Sequence, residues 1–91
     1  MKIEWTPQAE NRVYEIAVYI AMDSIGEAEK WLDSIFAYVQ RLTSFPESGR
    51  PVPELPARKD LRELIFKNYR IIYRIEKKKV YILTVRNYKQ I

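Results

Sequence analysis

The chain is expected to fold as one α+β domain: a short N-terminal strand, an antiparallel helical hairpin, then a three-stranded antiparallel meander, with both helices on one sheet face. Three observations predict this. First, Leu61–Arg86 holds three runs rich in Ile, Val, Leu, Tyr and Phe, parted by two-residue polar breaks. Such runs suit a pleated, half-buried surface, and a two-residue break permits only an antiparallel return. Second, apolar residues recur at helical spacing between Pro7 and Leu42. Third, four of the five prolines lie between Pro46 and Pro56, which excludes helix and central strand there.

The elements follow in order. Lys2–Trp5 alternates Lys, Ile, Glu, Trp and reads as a short strand joining the later sheet. Thr6-Pro7 then starts a helix: a threonine oxygen can accept an early backbone N–H, and proline suits the first helical position. Ala9, Val13, Ile16, Ala17 and Ile20 give that helix one stripe and a span of about Pro7 to Met22. Ser24-Ile25-Gly26-Glu27 reads as a capping box, with Ser24 as cap and Glu27 reaching back. Ala28, Trp31, Leu32, Ile35, Val39 and Leu42 form the stripe of the second helix, which Pro46 stops near Ser44 or Phe45. Glu47–Asp60 is then a Pro-rich crossover carrying Arg50, Arg58 and Lys59 beside Glu47, Glu54 and Asp60.

Strand register follows by counting outward from the breaks, Lys67-Asn68 and Lys77-Lys78. Phe66 should face Tyr69, Leu64 Ile71 and Arg62 Tyr73; Ile75 should face Val80, Tyr73 Ile82 and Tyr69 Arg86. Asn68 tolerates the positive φ of a type I′ turn, which makes the first hairpin the better supported. Cross-strand partners share a face. Leu64, Phe66, Tyr69, Ile71, Tyr73, Ile75, Val80 and Ile82 therefore share one side with Arg62 and Arg86, and this side is favoured as core. Leu61, Ile65, Ile72, Tyr81, Leu83 and Val85 share the other with Glu63, Arg70 and Arg74. Two helices can cover one face of a four-stranded sheet, not two. The opposite face, apolar among charges, is expected to await a separate protein chain, amphipathic and acidic, which could also lie over the hairpin.

Composition narrows the function. The 91 residues suit a single domain spanning 1–91, and 47% apolar content supplies a core. The absence of cysteine excludes a disulfide framework and a thiolate metal site. The absence of histidine excludes a Ser-His-Asp system and any His-ligated metal. Two glycines, Gly26 and Gly49, cannot build a P-loop or dinucleotide fingerprint. No metal or other cofactor is expected. No apolar run approaches the ~20 residues of a membrane span, and the N-terminus lacks an unbroken apolar stretch, so the expected compartment is the cytoplasm. The net charge of +4 is compatible with an anionic partner. Lys59, Arg62, Arg70, Arg74, Arg86, Tyr73, Tyr88 and Lys89 form a set that could bind RNA. They could also cleave it without metal, with Tyr or Lys moving protons and Arg stabilising the phosphate. The plainer alternative is that the arginines edge the sheet and pair with Glu63 and Glu76.

This order of elements resembles the RelE/ParE superfamily of toxins from type II toxin–antitoxin modules. The likeness is most specific in FPESGRPVPEL (45–55) and in LRELIFKNYRIIYRIEKKKVYILTVRNYKQ (61–90). The residues that match are Gly49, Arg50, Glu54, Arg62, Glu63, Leu64, Tyr69, Arg70, Tyr73 and Val85; Asn87 stands where a histidine is common. The long helices and the GRPVPEL loop are similar to the ParE branch. That branch implies a protein that poisons DNA gyrase and is neutralised by a cognate antitoxin. Arg50, Glu54, Arg70, Arg74 and Tyr81 are then the expected contacts to antitoxin or target. The RelE branch instead implies an mRNA endonuclease acting on the ribosome. Its carried-over catalytic positions are Arg62 and Arg86, with Lys59 and Tyr88. A generic basic RNA- or protein-binding domain is the third alternative.

Overall fold

The computed structural model describes residues 1–88. Its elements are β1 (Lys2–Trp5), α1 (Pro7–Ala21), α2 (Ile25–Val39), a 3-10 turn over Gln40–Thr43, β2 (Arg50–Pro51), β3 (Leu61–Phe66), β4 (Tyr69–Glu76) and β5 (Lys79–Asn87). Lys89 lies outside the described residues.

The helix boundaries have local causes. Thr6 Oγ1 accepts the Ala9 N–H at 3.2 Å and donates its own proton to the Ile82 carbonyl at 2.8 Å. One side chain thus caps α1 and ties it to β5. Ser24 Oγ accepts the Glu27 N–H at 3.1 Å, which is half of a capping box. The expected return bond from Glu27 is replaced, because the Ser24 N–H already donates to the Ile20 carbonyl at 3.1 Å. The Glu27 carboxylate lies instead 3.6 Å from Lys30. The second helix keeps α geometry only to Val39 and then tightens into the 3-10 turn before Pro46.

Among the described residues the sheet has five strands in the order β1-β5-β4-β3-β2, one more than expected. The extra strand is Arg50–Pro51 inside the Pro-rich segment, paired antiparallel with Glu63 and Arg62. It lies at the edge, where a proline interrupts no ladder. β1 forms the other edge, parallel to β5.

The β3–β4 register is the counted one throughout. The β4–β5 register agrees from Glu76 to Tyr73 and then shifts, because Leu83 is an extra residue. This bulge reverses the side on which every later β5 residue lies. Tyr69 therefore faces Asn87 rather than Arg86. Val85 moves into the core, fully buried, and Arg86 moves to the opposite face across from Arg70. Turn geometry also differs from expectation. Positive φ falls on Lys67 (53°), Lys77 (48°) and Lys78 (65°), and Asn68 is not among them. The second hairpin has the two left-handed residues of a type I′ turn, although neither is Asn or Gly. The right-handed strand twist selects the turn, and lysine carries the strain.

The core lies between the hairpin and the face bearing Leu64, Phe66, Ile71, Tyr73, Val80, Ile82 and Val85. Ala9, Val13, Ile16 and Ala17 come from α1, and Trp31, Ile35 and Val39 from α2. Trp31 packs edge-on against Tyr69, with ring centroids 5.4 Å apart. The opposite face is partly covered by the chain itself, which corrects the expectation of a bare face. The Pro-rich segment folds back over its β3 end, so Val52, Leu61, Glu63 and Arg70 are buried there. Ile65, Ile72, Tyr81, Leu83 and Thr84 remain half-buried.

Candidate functional site: an ion cluster and the cations around it

On the outer face, strand pairing sets Arg50 on β2 opposite Glu63 on β3, and Arg70 on β4 diagonal to Glu63. Glu63 has no exposed side-chain surface. It accepts the Arg50 Nε–H at 2.6 Å and the Arg70 Nε–H at 2.7 Å. The other end of the Arg70 guanidinium forms two parallel bonds to Glu54, both 2.7 Å. Planar, bidentate pairing is the geometry at which arginine excels. The cluster fastens the Pro-rich segment to the sheet: Glu54 and Arg50 belong to the segment, Glu63 and Arg70 to the central strands.

Charge is fixed by these contacts. The Arg70 guanidinium pulls the Glu54 carboxyl down to about 2. Arg70 in turn is raised above its ordinary value, chiefly by its bonds to Glu54, and Arg50 is raised chiefly by Glu63, with Tyr88 adding a smaller push the same way. Neither Glu54 nor the two arginines can exchange a proton near neutral pH. Arg50, Pro53, Glu54, Arg70 and Tyr88 line a small depression of about 190 Å³.

The remaining sites expected from the sequence are dispersed. Arg62 lies on the helix-side face, opposite Tyr73, and gives its guanidinium to the Gly49 carbonyl at 2.7 Å and the Glu47 carbonyl at 3.4 Å. Arg86 is exposed on the other face, across from Arg70. Lys59 is exposed in the loop, beside the Arg58–Asp60 pair at 2.9 Å. Tyr88 follows β5 and stands next to Arg50. The structure thus brings Tyr88 to Arg50, Glu54 and Arg70, and parts Arg62 from Arg86 by the thickness of the sheet. Arg74 lies over the Tyr81 ring at 5.2 Å and 3.1 Å from the Glu76 carboxylate. Tyr73, considered as a proton carrier, is a buried hub. Its hydroxyl accepts the Gly49 N–H at 3.0 Å and donates to the Pro46 carbonyl at 2.7 Å, and burial pushes its pKa up. Asn87 borders a groove of about 410 Å³ with Arg12, Glu15, Ile16, Tyr19 and Tyr69, on the side away from Arg86.

Two features escaped the sequence reading. Glu63 stands in the sequence as a family-matching residue and an edge partner for arginines, yet it is the buried centre of the cluster. Tyr14 and Val18 on α1 and Met22 at its C-cap form an exposed ridge. Their four-residue spacing is visible in the sequence, beside the core stripe of the same helix. Among the described residues, no group of His, Cys, Asp and Glu could hold a metal ion, and no helix is long and apolar enough to cross a membrane.

Comparison with known proteins adds the lineage. The family described as the ParE toxin of the type II toxin–antitoxin system parDE matches residues 3–91. A relative from Sinorhizobium fredii, Y4kP, named as a candidate toxin, is 38% identical over 86 residues, spanning 92% of this chain and 84% of the relative. A solved structure described as the chromosomal ParDE system from P. aeruginosa superposes with a TM-score of 0.79 at 22% identity. The match covers 96% of this chain and 95% of that one, and it establishes the shared fold. The chain belongs to the ParE toxin family of type II toxin–antitoxin systems.

Proposed function

We propose that this toxin acts on DNA gyrase through protein–protein contact, and that a cognate antitoxin neutralises it in the cytoplasm. The observation that carries this reading is the state of the arginines. A metal-free nuclease needs convergent cations and a group able to move a proton. Here Arg70 is saturated by Glu63 and Glu54, half-exposed Arg50 gives its Nε–H to Glu63, and Arg62 is bound to backbone carbonyls. Arg62 and Arg86 occupy opposite faces. Withdrawing Arg70 for a phosphate would strand Glu63 without its buried counter-charge.

What suits this face is a partner surface. The closed cluster holds the segment around Pro53–Leu55 against a sheet face that also carries Arg74, Tyr81 and Arg86. Arg50, Glu54, Arg70, Arg74 and Tyr81 are the proposed contact set; Arg50 and Arg74 meet the partner directly, and Glu54 and Arg70 hold the segment that does. Electrostatic steering by this cationic side favours an acidic antitoxin segment or an acidic region of the target.

The test is paired. Purified toxin is added to gyrase in a supercoiling assay and to translating ribosomes in an mRNA-cleavage assay. Inhibition of supercoiling, weakened by Arg74→Glu and relieved by the antitoxin, is the expected result. Ribosome-dependent cleavage abolished by Arg62→Ala, with supercoiling untouched, would overturn the proposal in favour of the endonuclease.

A further inference from the structure

The charge of the molecule is divided between its layers. Residues 7–39, which form α1, α2 and their link, carry Glu10, Glu15, Asp23, Glu27, Glu29 and Asp33 against Arg12 and Lys30, a net −4. The whole chain is +4, so the remaining residues carry +8. The apolar ridge lies on the acidic layer. Tyr14, Val18 and Met22 follow each other at four-residue spacing on the side of α1 turned away from Ala9, Val13, Ile16 and Ala17, its buried stripe. Ile25 extends the ridge past the helix end, and Tyr19 flanks it. All five are between half and four-fifths exposed. Glu10 precedes Tyr14 on the same row, and Glu15 lies beside it; both are exposed, and Glu15 also stands 3.6 Å from the Arg12 guanidinium in a surface pair of little strength.

Taking roughly 200 Å² for a large side chain, the five residues leave on the order of 600 Å² of surface in water. That approaches the ~800 Å² one partner contributes to a standard interface. A row of anchors at helical spacing matches a helix laid alongside α1, ridge into groove. Three occupants compete, and charge decides between them. A second copy of the chain would bring two −4 layers together about the ridge. A membrane surface is anionic and is repelled by the same carboxylates. A helix with an apolar stripe and cationic flanks buries the ridge and meets Glu10 and Glu15.

We infer that the α1 ridge is a second docking surface, one that takes an amphipathic helix with Lys or Arg on both sides of its apolar stripe. It is separate from the cationic sheet face, which selects acidic partners, and it stands whether or not gyrase is the target.

The experiment uses the full chain and two synthetic helical peptides of about 20 residues with one shared Leu stripe. One peptide has Lys flanks, the other Glu flanks. Binding is followed by fluorescence anisotropy and by backbone NMR shifts. The Lys-flanked peptide should bind about tenfold or more tightly than the other, with shifts confined to residues 8–26. The exposed changes Val18→Ser and Met22→Ser, which alter no charge, should remove that binding while leaving the circular dichroism spectrum intact. Glu10→Lys with Glu15→Lys should reverse the preference between the peptides. The inference is overturned by any of three results: equal or tighter binding of the Glu-flanked peptide, Lys-flanked binding that survives the serine changes, or ridge shifts that track protein concentration alone and so report self-association.

Discussion

Replacing Glu63 by Ala tests the ion cluster most directly. Glu63 is 1% exposed and holds Nε of both Arg50 and Arg70. Its removal leaves Arg70, itself nearly buried, facing a void on one side. Breaking a buried pair by deleting one partner costs about 3–5 kcal/mol. Arg70 keeps its two bonds to Glu54, so the lower end applies, about 3 kcal/mol. In a domain of this size each kcal/mol moves Tm by about 4–8 °C, so Tm should fall by roughly 12–24 °C. Total stabilities of about 5–15 kcal/mol are usual, so the variant should fold but only weakly.

Urea unfolding followed by the fluorescence of Trp5 and Trp31 measures the loss. Glu63→Gln, which keeps the shape and one good acceptor, should cost about half as much. The double change Glu63→Leu with Arg70→Leu should recover most of the stability, because apolar replacement of a buried ion pair is often neutral. A cost below about 1 kcal/mol for Glu63→Ala, at unchanged m-value, would refute the reasoning. The cluster would then be solvated like any surface pair, and the Pro-rich segment would not be held by it.

Three further predictions rest on other contacts. Tyr73→Phe strands the Gly49 N–H and the Pro46 carbonyl, and chemical denaturation should show a loss of about 1–3 kcal/mol. Lys77→Asn with Lys78→Gly matches the type I′ turn and removes left-handed lysines at φ 48° and 65°; thermal unfolding should report a gain of about 1–2 kcal/mol. Glu54 has a folded pKa depressed to about 2 by Arg70. Its stabilising contribution is therefore complete above the unfolded carboxyl range near 4.5 and disappears as pH falls through about 2. The stability difference between wild type and Glu54→Gln should shrink across that window and stay constant from pH 5 to 8.

The fold was legible because its signals are local. Thr6-Pro7, Ser24 and the two-residue strand breaks mark boundaries by chemistry that acts within one turn. The register of β3 and β4 followed from counting, since nothing interrupts it. Counting failed at Leu83, because a bulge leaves no mark in a run such as VYILTVR. That single residue exchanged the sides of Val85 and Arg86 and broke up a catalytic pair that parity had placed together. The site was less legible for a different reason. Arg50, Glu54, Glu63 and Arg70 are spread over 21 positions of sequence and meet only because a two-residue edge strand folds the Pro-rich segment back on the sheet. Sequence spacing could name the four residues through family likeness, but not that they satisfy one another.

That mutual satisfaction also bears on what a toxin of this kind can do. A cation stabilises a transition state only if it is freer, or better aimed, in the transition state than in the resting protein. Arg70 already has its Nε on Glu63 and both terminal nitrogens on Glu54. Any phosphate must displace a carboxylate that costs nothing to keep in place. The same bonds make Arg70 a good strut. They fix Glu54 over the central strands and with it the exposed Leu55, so the proposed contact surface would be ordered before a partner arrives and less conformational entropy would be lost on association. Arg74→Glu should therefore weaken partner binding without unfolding the protein, whereas Glu63→Ala should weaken both. A variant that lost stability through Glu63→Ala yet bound gyrase or antitoxin with unchanged affinity would separate the strut from the surface and break the argument at that link.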